Sequence, residues 1–192
     1  MKINSTPIIQ NPDRPLLVLD LDETLIHSSK RPLYQKHSFK VFSYFVYERP
    51  ELKEFLLKMS KIYSIGIWSA AADIYVKKVV ENILPNSLIP DFVWGRSKCD
   101  FIGGFNKENN SDYLKNLHTL KKYGYSLQKI LIVDDTPRVC LKNLANAIFP
   151  KAYYGEIYDQ ELQSLSMYLE MISLENDFTI SEKKNWRKYT LS

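Results

Sequence analysis

Glycine and cysteine are scarce in this 192-residue chain, at six and two residues, and each scarcity excludes something. Six glycines rule out collagen-like or glycine-rich linker character. Two cysteines, Cys99 and Cys140, are too few for a disulfide framework and fit a reducing compartment. Neither opens a thiolate phosphate-binding loop, because the arginine such a loop needs six positions on is absent: Phe105 and Asn146 stand there. His27, His37 and His118 lack metal-ligand spacing. No Gly-x-Gly-x-x-Gly or Gly-x-x-x-x-Gly-Lys occurs, which removes dinucleotide and Walker-type nucleotide binding. No apolar run approaches the roughly 20 residues of a membrane span, and Pro7 and Pro12 precede any hydrophobic stretch. The expectation is a chain neither secreted nor membrane-embedded, working in the cytoplasm or, in a eukaryotic cell, the nucleus. The 26 Lys+Arg exceed the 22 Asp+Glu by only four, too little to argue for nucleic acid. There is no repeat at a solenoid period.

What is present is the composition of one soluble globular domain, 45% hydrophobic and 25% charged. A chain this long buries roughly 70% of the surface its unfolded form exposes and needs no staple. Residues 1–15 are polar and proline-punctuated and read as an arm. Residues 16–173 read as the domain, with an insertion at about 91–105, and 174–192 as a tail too mixed to assign. Three short apolar runs each stop at a polar group: Leu16 to Leu19 at Asp20, Lys61 to Trp68 at Ser69, and Lys129 to Val133 at Asp134-Asp135. Runs of this kind are central parallel strands buried on both faces. Helical spacing follows at Leu52, Phe55, Leu56 and Met59, at Val76, Val79, Val80 and Ile83, and at Leu162, Leu165, Leu169 and Ile172, the last stripe starting near Asp159. A shorter helix is expected to hold Tyr113, Leu117 and Leu120 and to end at Gly124. Phe39 to Tyr47 reads as one or two inserted strands, Asp91 to Phe105 as irregular or hairpin structure, and Ala147 to Phe149 as a further strand. Alternating strand and helix predicts an α/β fold. The aromatics of Phe39 to Tyr47 suit sheet packing better than base stacking, even with Lys36 and Lys40 alongside.

In an open parallel sheet, ligands collect beyond the carboxyl ends of the strands. Each apolar run delivers residues suited to phosphate chemistry there. If extended geometry continues past Leu19, Asp20 and Asp22 point the same way. Four carboxylates, Asp20, Asp22, Asp134 and Asp135, repel one another, and Mg²⁺ would hold them and neutralise a phosphate. Lys115, expected on the helix before the third strand, would add a positive contact. Blander readings stand beside these. Ser69 suits an N-cap as well as a ligand, and Asp134-Asp135 suits a cap for a helix from Pro137. A calcium loop starting at Asp20 fails, since its glycine and glutamate positions hold Leu25 and Arg31.

The segment Leu19 to His27, LDLDETLIH, resembles the signature of the haloacid dehalogenase superfamily, in its FCP/SCP-like (small C-terminal domain phosphatase, NLI-interacting factor-like) branch. Glu48-Arg49-Pro50, Trp68-Ser69-Ala70, Arg96 to Cys99, Tyr113-Leu114-Lys115 and Val133 to Pro137 follow in the family's order, from about Leu16 to Ile172. The resemblance implies a Rossmann-like parallel sheet flanked by helices, with a small β insertion, and a Mg²⁺-dependent phosphatase. Asp20 would be the nucleophile forming an aspartyl-phosphate, and Asp22 the general acid and base, reaching Mg²⁺ only through its backbone carbonyl. Thr24 would fix Asp22, Ser69 and Lys115 would bind the phosphoryl oxygens, and Asp134 and Asp135 would hold Mg²⁺. His27 would orient the first motif. The implied partner is a phosphoserine or phosphothreonine protein or peptide, with no membrane or nucleic-acid role; oligomeric state is not legible. Lys30 stands where the family's polymerase-tail enzymes carry an aromatic residue. The alternatives are a phosphatase for a small metabolite or a nucleic-acid end, and a non-catalytic binding module.

Overall fold

The computed structural model describes residues 14–103 and 112–190. Residues 1–13 of the expected arm over 1–15, Gly104 and Phe105 of the insertion, and the last two residues of the tail lie outside these. Strands occupy Leu16–Leu19 (β1), Ile26–Ser29 (β2), Phe39–Val41 (β3), Tyr44–Glu48 (β4), Ser64–Trp68 (β5), Phe92–Trp94 (β6), Asp100–Phe101 (β7), Tyr113–Leu114 (β8), Ile130–Val133 (β9) and Ala147–Ile148 (β10). α-Helices occupy Leu52–Ile62 (α1), Asp73–Ile83 (α2) and Glu161–Ile172 (α3). Among these helices none is long and apolar enough to cross a membrane.

The central sheet has the order β10-β9-β1-β5-β6 and every pairing is parallel. Side chains alternate across a strand, so each strand feeds two cores. Leu17, Leu19, Ile65, Ile67, Leu131 and Val133 join the cluster shared with α1, α2 and α3, while Leu16, Val18, Trp68, Phe92, Ile130 and Ile132 join Leu117, Leu120, Val139 and Cys140 on the other side. The second layer consists of 3-10 turns at Leu117–Tyr123 and Pro137–Asn146. Gly66 is required there, because a Cβ on it would come within 2.4 Å of the Phe92 ring. The expected α/β architecture with a parallel sheet is what forms.

Boundaries differ in four places. Lys61 and Ile62 finish α1 and do not begin β5, since the apolar spacing of the helix runs straight into the strand. Phe92–Trp94 is a fifth sheet strand, paired with Gly66, Ile67 and Trp68, where irregular or hairpin structure was expected; three residues are too short to show a period. Tyr113 lies in β8, paired with β7, and the helical part begins only at Leu117 and ends at Gly124 with φ 93°. Lys115 therefore lies on the connector between β8 and the 3-10 turn, not on a helix. α3 starts at Glu161 with Gln160, not the expected Asp159, as its N-cap residue and no side-chain cap; Asp159, one position earlier, accepts from the Glu161 N–H at 3.0 Å. In the stretch expected as a tail, Phe178 and Trp186 are fully buried against α3 and the core.

A smaller antiparallel sheet, β2-β4-β3, grows between β1 and α1. Arg49 ties its base to the rest of the fold. Its guanidinium grips both Asp159 carboxylate oxygens at 2.7 and 2.8 Å and donates to the Thr24 and Lys151 carbonyls at 2.9 and 2.8 Å.

Candidate functional site

Register places the site. Leu19 pairs with Ile67 on one side and Val133 on the other, so the carboxyl ends of β1, β5 and β9 are level. Asp20, Ser69 and Asp134 leave those ends side by side. After Asp20 the chain turns sharply, with the Thr24, Leu25 and Ile26 N–H groups all donating to the Leu21 carbonyl and Glu23 in the left-handed region at φ 59°. That turn brings Asp22 back beside Asp20. A cavity of about 250 Å³ is lined by Asp20, Asp22, Glu23, Ser69, Lys115, Asp134 and Asp135, with Ala70, Thr136 and Val139. Six of the seven expected residues therefore share one cavity.

Lys115 is 1% exposed and bridges Asp20 Oδ1 and Asp134 Oδ2, each at 2.5 Å from Nζ. Burial alone would lower the ammonium's pKa, but the Asp134 and Asp20 carboxylates outweigh it and hold the pKa above the ordinary lysine value. Two of its three donors are used, leaving one for a ligand in the cavity. Burial raises the Asp134 carboxyl against the opposing pull of Lys115. Asp135 is pushed up to about 6, first by burial and then by the charge of Asp20.

Thr24 is the seventh expected residue, and its contact differs from the expected one. Fully buried beneath the cavity, it pairs with Asp135: its hydroxyl accepts from the Asp135 N–H at 3.1 Å and lies 3.3 Å from Asp135 Oδ1. Asp22 is held instead by a collar of hydroxyls. Tyr75 on the first turn of α2 donates to Oδ1 at 2.6 Å, Ser28 of β2 donates to the same oxygen at 3.0 Å, and Ser69 reaches Oδ2 at 3.4 Å. Burial raises the Asp22 pKa; the Tyr75 hydrogen bond opposes this and the charge of Asp20 adds to it. Ser69 also accepts from the Ala71 N–H at 3.0 Å, in the turn before α2; the N-cap of α2 is Ala72, with no side-chain cap, so the capping reading of Ser69 is not what forms, while its side chain lies in the cavity lining. Tyr75 and Ser28 were not among the candidate residues; nothing in the sequence pairs them with Asp22.

Glu23 is a further cavity residue not singled out from sequence. Its carboxyl is pushed up to about 8 by burial and then by Asp22, Asp135 and Asp20, and it lies 3.0 Å from His27 Nδ1. His27 thus contacts the first motif without entering the cavity lining.

Carboxylate oxygens of Asp20, Asp134 and Asp135 lie within 4.8 Å of one another. Three carboxylates against the single charge of Lys115 leave an excess of two negative charges, which suits a hard divalent cation with oxygen ligands. The Asp22 carboxylate is outside this group and accepts from the Tyr75, Ser28 and Ser69 hydroxyls instead.

Comparison with known proteins converges on one family. A family model described as NLI interacting factor-like phosphatase matches residues 15–179. "CTD small phosphatase-like protein 2" of Dictyostelium discoideum is 32% identical over 182 residues, 91% of this chain and 30% of that protein. The human "Carboxy-terminal domain RNA polymerase II polypeptide A small phosphatase 1" is 26% identical over 175 residues, 88% of this chain and 63% of that protein. The chain thus spans less than two thirds of the length of these relatives. Among solved structures, that of Fcp1, titled "an essential RNA polymerase II CTD phosphatase", superposes with TM-score 0.55 at 22% identity, covering 94% of this chain and 58% of that one; this likeness concerns the fold.

Proposed function

Because the chain belongs to the family of NLI interacting factor-like phosphatases, we propose that it hydrolyses phosphate monoesters by way of a phosphoryl group carried on Asp20, with phosphoserine or phosphothreonine proteins as substrates. The observation that carries this reading is the shared cavity. It is lined by the Asp20 carboxylate at the end of β1, the Asp22 carboxylate held by hydroxyls in the turn that follows, and the buried Lys115 ammonium on the facing connector, which supports that chemistry. The relatives' names, which refer to phosphatases of the polymerase carboxy-terminal domain, support a phosphoprotein substrate.

Asp20, fixed by Lys115, attacks phosphorus, and the bond to the leaving oxygen breaks as Asp22 delivers its proton there. Oδ1 accepts from both Tyr75 and Ser28, so Oδ2, which has only the longer 3.4 Å contact with Ser69, is the Asp22 oxygen that carries that proton. Its raised pKa favours the protonated form at the start. Water then attacks the phosphoryl group, Asp22 takes a proton from it, and the Asp20 carboxylate is released. Lys115 and Ser69 meet phosphoryl oxygens. Asp20, Asp134, Asp135 and the Asp22 backbone carbonyl are the groups that would hold Mg²⁺, which would neutralise phosphate charge as the carboxylate approaches.

The test is hydrolysis of an aryl phosphate between pH 4 and 8, with Mg²⁺ and with chelator, for the wild type and Asp20→Asn. The expected result is Mg²⁺-dependent turnover that the variant lacks while melting at a similar temperature. Turnover retained in the variant would exclude Asp20 as nucleophile. A folded wild type inactive on every ester tested would leave a binding module.

A further inference from the structure

The chain's entire charge excess lies in one stretch. Residues 24–47 contain Lys30, Arg31, Lys36 and Lys40 and no acidic residue, which leaves 22 basic against 22 acidic residues in the rest of the chain. This stretch comprises β2, β3, most of β4 and the loop joining β2 to β3. It stands beside the mouth of the cavity, since Ser28 of β2 touches Asp22.

The register orders its faces. Ser28 opposes Val46 and Ser29 opposes Phe45, so the next pair is Lys30 with Tyr44, on the same face as Ser28. Lys30 Nζ sits 5.9 Å from the Tyr44 ring centroid, and the Tyr44 ring meets the Tyr75 ring edge-on at 5.9 Å. Tyr75 in turn holds Asp22. These rings line a groove of about 510 Å³ that shares Asp22 and Glu23 with the catalytic cavity and is flanked by Phe42 and Ile74. Phe42 is 61% exposed at the β3–β4 turn with φ 52°, a region bulky side chains avoid unless the site requires it. Lys30 is exposed, and among the described residues no carboxylate pairs with it. Lys30 borders the groove through Tyr44, and Arg96, whose Nε donates to the Ala70 carbonyl at 2.8 Å, lines it; cations beside an aromatic groove are complementary to an anion.

Resting on the phosphatase reading, we propose that the substrate's peptide leaves the catalytic cavity along this groove with an acidic or second phosphorylated residue against Lys30, so that the protein selects phosphopeptides carrying extra negative charge near the scissile phosphate. Arg31 and Lys36, in the loop beyond Lys30, extend the attraction; Lys40 points to the opposite face, 4.1 Å above the Phe45 ring.

The test uses phosphoserine peptides of one core sequence with neutral, acidic, basic or phosphorylated flanks. They are hydrolysed by the wild type and by Lys30→Glu at low and high ionic strength, beside an aryl phosphate that never reaches the groove. For the wild type, kcat/KM should rise about two- to fivefold per added negative charge, mainly through KM, and the gain should shrink with salt. Lys30→Glu should abolish or invert the preference and leave aryl phosphate hydrolysis unchanged. Equal rates for acidic and neutral flanks, or an acidic preference that survives in Lys30→Glu, would overturn the proposal. So would a single-stranded oligonucleotide that outcompetes the acidic peptides, which would give the basic stretch to nucleic acid. Absence of aryl phosphate hydrolysis would fail the phosphatase reading instead, and the affinity of labelled acidic and neutral phosphopeptides for the wild type and Lys30→Glu then decides the groove's preference by itself.

Discussion

Removing one hydroxyl, in Tyr75→Phe, separates orienting the proton donor from building the site. The Tyr75 O–H donates to Asp22 Oδ1 at 2.6 Å; as Asp22 gives up its proton to the leaving oxygen and becomes ionised, this becomes a charge-assisted bond of a kind worth about 1.5–3 kcal/mol. Ser28 remains on the same oxygen at 3.0 Å and retains part of the restraint, so the lower end applies. At about 1.36 kcal/mol per decade this is on the order of a tenfold loss, well inside the 10²–10⁴ that a positioned acid supplies. The ring itself stays against Tyr44, so the groove is not emptied. The loss should depend on the leaving group. An alkyl phosphate must be protonated as it departs and should lose about tenfold in kcat, whereas an aryl phosphate with a stable phenolate needs little proton and should lose less than about twofold. The assay is a series of alkyl and aryl phosphates, with log kcat plotted against the leaving group's pKa for the wild type, Tyr75→Phe, and Tyr75→Phe with Ser28→Ala. A steeper slope in the variants is the expected outcome. Parallel lines with equal losses across the series would refute the reasoning, because they would make Tyr75 a structural contact with no bearing on the proton.

Three predictions concern the scaffold that keeps these groups level. Arg49→Met leaves the Asp159 carboxylate and the Thr24 and Lys151 carbonyls without their shared donor and should cost about 3–5 kcal/mol in urea unfolding; a cost below about 1 kcal/mol would show that water replaces the guanidinium freely. The same pair gives an acid limb to stability. Burial would raise the Asp159 carboxyl, but Arg49 outweighs it and holds it below the ordinary value, so the contribution is present above the unfolded carboxylate's pKa of about 3.9 and is lost as pH falls through the lower folded value. Arg49→Met should flatten that limb, and an unchanged acid profile would contradict the assignment. Gly66→Ala forces a methyl to within 2.4 Å of the Phe92 ring and should destabilise by about 1–3 kcal/mol, with Phe92→Leu restoring part of the loss; if the second change brings no recovery, the clash is not the cause.

The parts of the site legible in the sequence are those fixed by the sheet. A parallel strand buried on both faces must be an unbroken apolar run, so β1, β5 and β9 announce themselves, and whatever ends them stands at the carboxyl edge where ligands gather. Asp20, Ser69 and Asp134 follow from that rule once the three strands are neighbours, which the pairing of Leu19 with Ile67 and Val133 makes them. β6 obeys the same physics, but three residues carry no measurable period, and its neighbours Pro90 and Gly95 read as loop. Lys115 is positioned by a short connector in which Asn143 receives the Leu117 N–H at 3.0 Å and donates to the Lys115 carbonyl. No residue spacing encodes that cross-chain clamp, which is why the connector passed for a helix. Tyr75 marks the limit most clearly. Its alignment with Asp22, 53 positions earlier in the chain, depends on how α2 is rotated over the sheet, and that rotation is set by the packing of Val76, Val79, Val80 and Ile83 into the core. The apolar stripe is legible; which polar residue the stripe's rotation aims at the cavity is a property of the assembled core. The clustered carboxylates Asp20, Asp134 and Asp135 are therefore readable from strand ends alone. The hydroxyls on Asp22 are supplied by a helix and by the basic hairpin sheet, so the hydroxyl that holds Asp22 and the ring next to Lys30 belong to the same contact, Tyr75 with Tyr44. A substitution at that contact should change proton delivery and flank selection together.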